Sequence, residues 1–369
     1  MKRVVLITGH YWRSKKKAGF HWLADAFHRQ GSEVLFLTSP LSFLSILRRD
    51  ERLRYNLLRI RNKMVAEQKG LWSYVWFTPW HPANLRIAGL NKLSACLFER
   101  YASLPLGQAE SFLRSADIIV LESGPALMLL PRLKRLCPQA RFIYRVSDDL
   151  RLLRSHPVVI QAEEDNASSF DLISVPNASM LKIFEGKVAN VQLQLHGINK
   201  ELFDEDYPNP YGESSGVNAV FVGVSHVDLD FIERAGRLFP TWAFHIIGPI
   251  KQVPEGPNIK TYGEMAFVDT IPFIKHADIG LAIRSYYPGA ESLGDSLKVM
   301  QYSYCRMPVV APEFLSSSRK NIFYYRPGDD DSICQVLDAA AQYDRSQVCL
   351  DDIRSWDELA HALVGNSHA

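Results

Sequence analysis

Residues 294–311, GDSLKVMQYSYCRMPVVA, contain the side chains best suited to hold an anion. A small polar turn precedes a helical pattern, so Ser296 and Lys298 fall in the first turn. The first backbone N–H groups of a helix have no partner within it, and the helix dipole is positive there. The pattern predicts a diphosphate site at Ser296 and Lys298. The alternative is a plain surface helix in which Ser296 is only the N-cap.

Two aspartates, Asp148 and Asp149, directly follow the apolar strand pattern of residues 141–146. Ligands of α/β proteins bind at the carboxyl ends of parallel strands. A carboxylate at that position can act as a general base, and partial burial beside a second carboxylate would increase its basicity. Either residue can therefore be the base, while capping of the turn that follows is the structural alternative, which suits Asp149 better.

The loop of residues 9–19 carries His10, Lys15, Lys16 and Lys17 at the end of the first predicted strand. These cations could contact a diphosphate or an anionic lipid headgroup, although a run of lysines is more often a solvated surface. The loop lacks the Gly-x-Gly-x-x-Gly spacing of a dinucleotide fingerprint. This argues against an NAD enzyme.

The composition describes an ordinary globular chain of 369 residues, 47% hydrophobic and with a net charge of +2. This length is enough for two domains, and the nearly neutral charge predicts no nucleic-acid partner. Five widely spaced cysteines fit neither a disulfide framework nor a zinc site. The Asp-x-Asp spacings at Asp204 and Asp228 fall in a linker and a helix start, so we expect neither a metal nor a cofactor. The apolar run of residues 4–8 is too short for a signal peptide or a membrane span.

Short apolar runs alternate with helical patterns, which predicts an α/β fold. The strand predictions are residues 4–8, 33–38, 118–122, 141–146 and 172–175, then 219–223, 243–248, 259–261, 278–283 and 308–311. A polar, proline-containing stretch separates the two series. We therefore predict a first domain over residues 1–200, a second over 201–350, and a final helix over 351–369 that returns to the first domain.

Four strings extend the pattern beyond a general fold: TGHYWRSKKKAGFHW at residues 8–22, VWFTPWHPANL at 75–85, YRVSDDLRLLR at 144–154, and HGINKELF at 196–203. With residues 294–311 they resemble the inverting β-glucuronosyltransferases of xanthan-type exopolysaccharide assembly. The resemblance implies a GT-B fold, in which two Rossmann-like doubly wound domains face a central cleft. Asn199 departs from the pattern, since aspartate is usual there.

The resemblance also implies an activity: transfer of glucuronic acid from UDP-glucuronate to the mannose of a polyprenyl-diphosphate-linked oligosaccharide, without a metal, at the cytoplasmic face of the inner membrane. It aligns the catalytic aspartate with Asp148. The donor-binding residues that it implies are Ser296, Lys298, Gln301, Tyr286, Tyr287, Glu264 and Met265. Gln301 would reach ribose hydroxyls, although related enzymes often have glutamate there, and the tyrosines could equally be packing residues. Arg284 and His226 are the cations available for the carboxylate of the donor.

Residues 41–64 contain seven basic and two acidic side chains among leucine, isoleucine and phenylalanine. Such a segment can lie on an anionic membrane with its apolar side inward. The aromatic residues Trp72, Tyr74, Trp76, Phe77 and Trp80 could extend that surface. The structural alternative is a helix whose apolar side joins the core.

Two other functions fit the same motifs. A UDP-sugar 2-epimerase shares the fold and the diphosphate site but needs no acceptor. A non-catalytic sugar-nucleotide-binding export component could keep Lys298 but would have no use for an acidic group at Asp148. Fold analogy alone does not choose among the three.

Overall fold

The computed structural model describes residues 1–15, 17–212, 216–224 and 226–365, and the chain forms two compact units. Unit 1 comprises Met1–Gln194 and the chain from Trp356 onward. Unit 2 comprises Leu195–Ser355.

Unit 1 is built on a sheet of eight strands in the order β3-β4-β2-β1-β5-β6-β7-β8, parallel except for β3. The strands are β1 (Arg3–Thr8), β2 (Glu33–Ser42), β3 (Met64–Gln68), β4 (Leu71–Thr78), β5 (Ile118–Glu122), β6 (Arg141–Arg145), β7 (Leu172–Val175) and β8 (Val191–Leu193). The central strands are buried along nearly their whole length. Their continuous apolar runs follow from having both faces covered.

The helices of unit 1 connect these strands. They are α1 (Gly19–Arg29), α2 (Phe43–Leu47), α3 (Leu57–Ile60), α4 (Ala88–Glu99), α5 (Ala109–Arg114), α6 (Leu130–Leu136), α7 (Pro157–Asn166) and α8 (Ala178–Phe184). Helix α1 ends before Gly31, whose φ of 82° is readily adopted by glycine.

Unit 2 has six parallel strands in the order β11-β10-β9-β12-β13-β14. They are β9 (Asn218–Val222), β10 (Ala243–Ile247), β11 (Ile259–Gly263), β12 (Ile279–Leu281), β13 (Val309–Pro312) and β14 (Ile322–Tyr325). The helices are α9 (Lys200–Asp204), α10 (Leu229–Leu238), α11 (Phe267–His276), α12 (Leu297–Tyr304) and α13 (Asp330–Ala341). Apolar side chains pack against both faces of this sheet.

The last helix, α14 (Trp356–Val364), belongs to unit 1, where it packs on α1. Trp356 is buried, and Arg29 forms an ion pair with Asp357 at 2.7 Å. A Cβ atom at Gly19 would lie 3.2 Å from the Trp356 ring, so a larger residue at this position would require the ring to shift.

Each sheet reverses its strand order once, between β1 and β5 in unit 1 and between β9 and β12 in unit 2. Ligands of open parallel sheets bind beyond the carboxyl ends of the strands at such a switch point. The α/β prediction with two doubly wound sheets is therefore confirmed, and the topology gives each unit one switch point at which a ligand can bind.

Residues 41–64 differ from the continuous amphipathic segment that their composition suggested. They divide among the end of β2, α2, a 3-10 helix at Glu51–Tyr55, α3 and the start of β3. Leu57 is fully buried, whereas Phe43 is 64% exposed and Leu47 80% exposed. The structural alternative thus holds for α3, whereas α2 keeps exposed apolar side chains.

The prediction that aromatic residues of 72–80 extend that surface is wrong for three of them. Tyr74, Trp76 and Phe77 lie on β4 and are buried. Trp76 packs against Tyr101 with ring centroids 4.8 Å apart. Across the described residues, no helix combines the length and hydrophobicity that a membrane span requires.

Candidate active site

A buried carboxylate occupies the switch point of unit 1. Glu122 ends β5, and the Thr8 hydroxyl at the end of β1 donates a hydrogen bond to its Oε2. The Gly9 N–H donates to the same oxygen at 3.0 Å, and the Ser147 hydroxyl donates to Oε1 at 2.8 Å. His10 Nε2 lies 3.5 Å from Oε1. Three strand ends therefore converge on one carboxylate and one imidazole.

Glu122 and His10 stabilise each other's charge. Burial alone would raise the pKa of Glu122, but His10 and the hydroxyls of Thr8 and Ser147 outweigh burial and leave that pKa below its usual value. Burial also opposes the charge of His10, yet Glu122 raises the imidazole pKa above its usual value. At 3.5 Å the contact is an ion pair rather than a short hydrogen bond. Each group thus stays charged over a wider pH range.

Asp148 lies beside this pair, in the loop after β6. The residue is exposed, and nothing in the described part of the chain donates a hydrogen bond to its carboxylate. Surrounding protein atoms still remove part of its hydration and raise its pKa, the negative charge of Glu122 raises it further, and His10 opposes them. Asp148 is therefore more basic than an ordinary aspartate and open to a ligand.

Buried polar groups hold the backbone of Asp148 in place. The N–H groups of Ser147 and Asp148 donate to Ser123 Oγ at 3.0 and 3.3 Å. Ser123 Oγ lies 3.1 Å from the Tyr144 hydroxyl, which itself donates to Glu163 Oε1 at 2.6 Å. Because tyrosine has one hydroxyl proton, Ser123 is the donor in their contact. The loop is thereby tied to the core of unit 1.

Asp149 has a local structural role. Its Oδ1 accepts a hydrogen bond from the Arg151 N–H at 2.8 Å, so the side chain caps the turn that follows. Of the two aspartates, only Asp148 has a carboxylate free to act on a substrate.

Glu122 was missed as a site residue at the sequence level. The clue was an acidic residue ending an otherwise apolar strand, since a buried carboxylate needs compensating partners. His10 was noted, but only as one member of a cationic loop. Its pairing with Glu122 joins residues far apart in the sequence.

In unit 2, the first turn of α12 presents Ser296 and Lys298. Ser296 occupies the N-cap position, but its side chain makes no capping hydrogen bond. The ammonium of Lys298 lies 3.8 Å from the centroid of the Phe221 ring, which belongs to β9 at the switch point. Gly223 leaves room for it, since a Cβ atom there would lie 2.9 Å from Lys298 Nζ. The serine hydroxyl, the ammonium and the helix end form a cationic surface.

The Lys298 ammonium is poorly compensated. Burial lowers its pKa to about 7, and the positive charge of Arg284 contributes to the shift. No described carboxylate pairs with Lys298, and the Phe221 ring supplies only a cation–π contact. A bound anion would stabilise the positive charge of Lys298 and so offset its loss of hydration.

Three further candidates of unit 2 form one group at the end of β12. Arg284 Nη1 donates to the Tyr287 hydroxyl at 3.2 Å, and the His226 ring lies 4.4 Å from the Tyr287 ring. Tyr286 instead donates to Glu291 at 2.9 Å and is 61% exposed. The structure thus associates Tyr287, rather than Tyr286, with Arg284 and His226, the two residues considered for the donor carboxylate.

The remaining donor-binding predictions have mixed surroundings. Gln301 is buried one turn after Lys298 on α12. Glu264 is exposed just beyond β11, whereas Met265 packs against the core of unit 2. Met265 therefore contributes to the packing of unit 2.

The cationic loop of unit 1 is only partly available for a ligand. Lys17 donates to the Trp12 carbonyl at 2.8 Å and lies 4.8 Å from the Trp12 ring centroid, and burial lowers its pKa. Lys15 is exposed, and its N–H contacts the Tyr55 hydroxyl at 3.4 Å. Lys16 lies outside the described residues.

No group of three or more His, Cys, Asp or Glu side chains in the described ranges is placed to hold a metal ion. The first aspartate of each Asp-x-Asp spacing has a structural partner instead. Asp204 accepts a hydrogen bond from the Tyr304 hydroxyl, and Asp228 caps α10 and accepts one from Tyr325.

Solved structures share this architecture over nearly the whole chain. Sucrose-phosphate synthase from Thermosynechococcus elongatus matches with a TM-score of 0.61 and 11% identity over 98% of this chain and 95% of that one. An α,α-trehalose-phosphate synthase (UDP-forming) from Burkholderia xenovorans matches with a TM-score of 0.60 and 12% identity over 98% and 100%. At these identities the likeness concerns the fold, which is that of the GT-B glycosyltransferases.

Sequence comparison is more specific. Residues 6–176 match the family model of the N-terminal domain of the glucuronosyltransferase GumK. A UDP-glucuronate:glycolipid 2-beta-glucuronosyltransferase from Xanthomonas campestris pv. campestris is 30% identical over 344 residues, which are 92% of this chain and 84% of that relative. The chain therefore belongs to the GumK glucuronosyltransferase family, and it is a glycosyltransferase.

Proposed function

We propose that the enzyme transfers glucuronic acid from UDP-glucuronate to the mannose of a polyprenyl-diphosphate-linked oligosaccharide, in a single inverting displacement. The observation that carries the proposal is Asp148, an accessible carboxylate with a raised pKa at the switch point of unit 1. The donor and acceptor named for the 30% identical relative support the choice of substrates.

In this mechanism Asp148 removes the proton of the acceptor hydroxyl as the oxygen attacks the anomeric carbon. Burial raises the pKa of Asp148 most, the charge of Glu122 raises it further and His10 opposes both, while neither Glu122 nor His10 accepts a proton from the substrate in this mechanism. Inversion follows because attack and departure occur on opposite faces in one step. The same carboxylate would have no task in a protein that only bound sugar nucleotides.

Unit 2 is assigned the leaving group. The Lys298 ammonium, the Ser296 hydroxyl and the first N–H groups of α12 would stabilise the negative charge that develops on the departing UDP. Gln301 and the Glu264–Met265 segment would contact the nucleoside, and Tyr287 with Arg284 would contact the diphosphate or the donor carboxylate. A fixed ammonium and a helix end supply the charge stabilisation for which other enzymes use a divalent cation.

Membrane attachment is proposed for unit 1, at the cytoplasmic face of the inner membrane. Phe43 and Leu47 of α2 are strongly exposed, and Arg48 and Arg49 follow directly. Apolar side chains next to arginines are suited to an anionic bilayer surface. Lys15, Lys16 and Lys17 would add positive charge, as their loop predicts.

The direct test is a transfer assay with labelled UDP-glucuronate and a lipid-linked oligosaccharide, in the presence of a chelator. We expect label in the lipid fraction and a β linkage by NMR. Incubation with UDP-sugar alone separates the alternatives, because a 2-epimerase would change the donor without acceptor and an export component would change nothing. Transfer from UDP-glucose but not from UDP-glucuronate would overturn the proposed donor.

A further inference from the structure

A cavity of about 720 Å³ lies in unit 1, apart from the residues so far assigned a role in transfer. Its wall includes the three arginines Arg48, Arg86 and Arg154, together with His81 and His156. No acidic side chain is among the residues that line it. Its volume lies within the range of about 300–1,000 Å³ that is typical of small-molecule sites.

None of the three arginines has a carboxylate partner among the described residues. Other arginines of unit 1 are paired, such as Arg52 with Asp50 at 2.6 Å and Arg151 with Glu163 at 2.9 Å. The charge that surrounds the cavity is therefore uncompensated, although carboxylates elsewhere in the unit neutralise similar groups.

Asn84 joins the segments that carry the arginines. Its Nδ2 donates to the Arg154 carbonyl at 2.6 Å, and its Oδ1 accepts from the Arg86 N–H at 2.7 Å. Its own carbonyl accepts from Arg48 Nη2 at 3.1 Å. Arg86 and Arg154 both have positive φ values, of 63° and 51°, which are uncommon for residues other than glycine. The arrangement is thus constrained by one residue, through both its side chain and its backbone carbonyl.

Two helices begin at the same cavity. Ala88 and Asn91 from the start of α4 line it, as do Ser155 and His156 at the start of α7. Their positive dipole ends add to the field of the arginines. His81 is buried, and its pKa is lowered to about 4, first by burial and then by Arg52 and Arg48, so the imidazole is neutral at pH 7.

The cavity adjoins the Asp148 site. Arg154 ends the turn that follows Asp148, and Pro125, which also lines the cavity, lies three residues after Glu122. Arg52 connects the two regions, since it donates to the Gly9 carbonyl at 2.7 Å. Its positive charge disfavours protonation of both His10, whose pKa Glu122 nevertheless raises, and His81.

Exposed leucines lie on α4, the helix that begins at the cavity, and in the cavity wall itself. On α4, Leu90, Leu93 and Leu97 recur at helical spacing and are 44%, 80% and 44% exposed. Leu153, which lines the cavity, is 56% exposed. A soluble nucleotide has no hydrocarbon to pack against these leucines. A phosphorylated lipid has both an anionic group for the arginines and hydrocarbon for the leucines.

We propose that this cavity binds the diphosphate of the lipid-linked acceptor through Arg48, Arg86 and Arg154, while the exposed leucines of α4 contact the bilayer. The inference rests on the proposed function for the identity of the lipid. Three uncompensated guanidinium groups match the two or more negative charges of a diphosphate better than the single charge of a common phospholipid headgroup.

The test uses the full chain and vesicle flotation. Phosphatidylcholine vesicles carry polyprenyl diphosphate, polyprenyl monophosphate or phosphatidylglycerol, adjusted to equal surface charge. The wild type should bind diphosphate vesicles at least about tenfold more tightly than the phosphatidylglycerol vesicles, because each charge-assisted hydrogen bond that is gained contributes that order of affinity.

The variant Arg48→Gln/Arg86→Gln/Arg154→Gln should lose this preference and bind the diphosphate and phosphatidylglycerol vesicles equally. The matched control Lys2→Gln/Lys69→Gln/Arg135→Gln removes three exposed cations of unit 1 from the opposite edge of the sheet and should keep the preference. If the triple arginine variant does not fold, Arg48→Gln replaces it, because within the described residues the side chain of Arg48 donates only to the Asn84 carbonyl.

Equal binding of the wild type to all charge-matched vesicles would mean general attraction to anionic lipid and would overturn the proposal. A triple arginine variant that retained the preference would also overturn it. Thermal stabilisation by UDP, which reports on unit 2, should be unchanged in that variant. Failure of UDP-glucuronate as donor in the transfer assay would refute the proposed function. The vesicle comparison would still test diphosphate binding independently, because it involves no donor.

Discussion

The two units place ionisable groups at equivalent points of their sheets but compensate them differently. In unit 1, Glu122 accepts hydrogen bonds on both oxygens and pairs with His10, while Asp148 stays accessible beside them. In unit 2, Lys298 faces an aromatic ring and has no described carboxylate partner. The first arrangement favours proton transfer by one unpaired base, and the second favours capture of an anion.

The strongest test of this difference is Asp148→Asn. We expect transfer to fall by about 10²–10⁴-fold, which is the usual contribution of a general base, with donor binding unchanged because Asp148 belongs to unit 1. Single-turnover rates with labelled donor measure the effect. Asp149→Asn is the matched control and should keep most of the activity, since Asp149 only caps a turn. Near-normal turnover by Asp148→Asn would remove the catalytic assignment from unit 1.

Lys298→Ala tests the anion site of unit 2. Affinity for UDP should fall by about ten- to a hundredfold, because a charge-assisted contact contributes roughly 1.5–3 kcal/mol. Isothermal titration calorimetry measures the change. Lys260→Ala is the control, since Lys260 is exposed at the amino end of β11, at the opposite sheet edge. Equal affinities in both variants would place the nucleotide elsewhere.

Glu122→Gln tests whether Glu122 raises the pKa of Asp148, through the pH dependence of the transfer rate. Transfer should fall as the pH decreases through the raised pKa of Asp148, because the protonated carboxyl group cannot act as a base. The charge of Glu122 contributes to that raised pKa, so its loss should move the acid limb to lower pH. His10 lowers the pKa of Asp148, but by less than Glu122 raises it. Loss of charge from His10 in the variant should therefore not reverse the fall in the pKa of Asp148. An acid limb that stayed in place would separate Glu122 from Asp148.

The smallest effect concerns protons taken up by unit 2. The pKa of Lys298 is lowered to about 7, so at pH 8 most molecules carry a neutral amine that must gain a proton when a diphosphate binds. Calorimetry with UDP-glucuronate in buffers of different ionisation enthalpy should show net proton uptake that decreases below pH 7. Lys298→Met should abolish it, and Lys260→Ala should preserve it. Binding without net proton uptake at pH 8 would contradict a lowered pKa of Lys298.

Local patterns were sufficient to predict much of the fold. The strands at residues 118–122 and 172–175 were predicted to the residue, because continuous apolar runs between turn residues are characteristic of buried parallel strands. Strand β3 was missed because its residues are mostly half-exposed and lack such a run. Residues 41–64 suggested one amphipathic segment, yet the pairing of β2 with β4 and the burial of Leu57 divided it.

The candidate site shows the same division. Ser296, Lys298 and Asp148 could be selected from their positions next to predicted strands and helices. Glu122 and the three cavity arginines could not, because their importance depends on which distant residues lie beside them. Asn84, for example, holds Arg48, Arg86 and Arg154 through hydrogen bonds that span up to 70 positions of the chain.

The sequence by itself determined the α/β class, the two sheets and the presence of acidic and cationic residues at strand and helix ends. Hydrophobic periodicity and turn chemistry are local properties, and they are written in neighbouring residues. Only the tertiary structure decided which of those charges are neutralised. The ionisation of a carboxylate or an ammonium group depends on burial and on charges a few ångströms away, and folding brings these from remote parts of the chain.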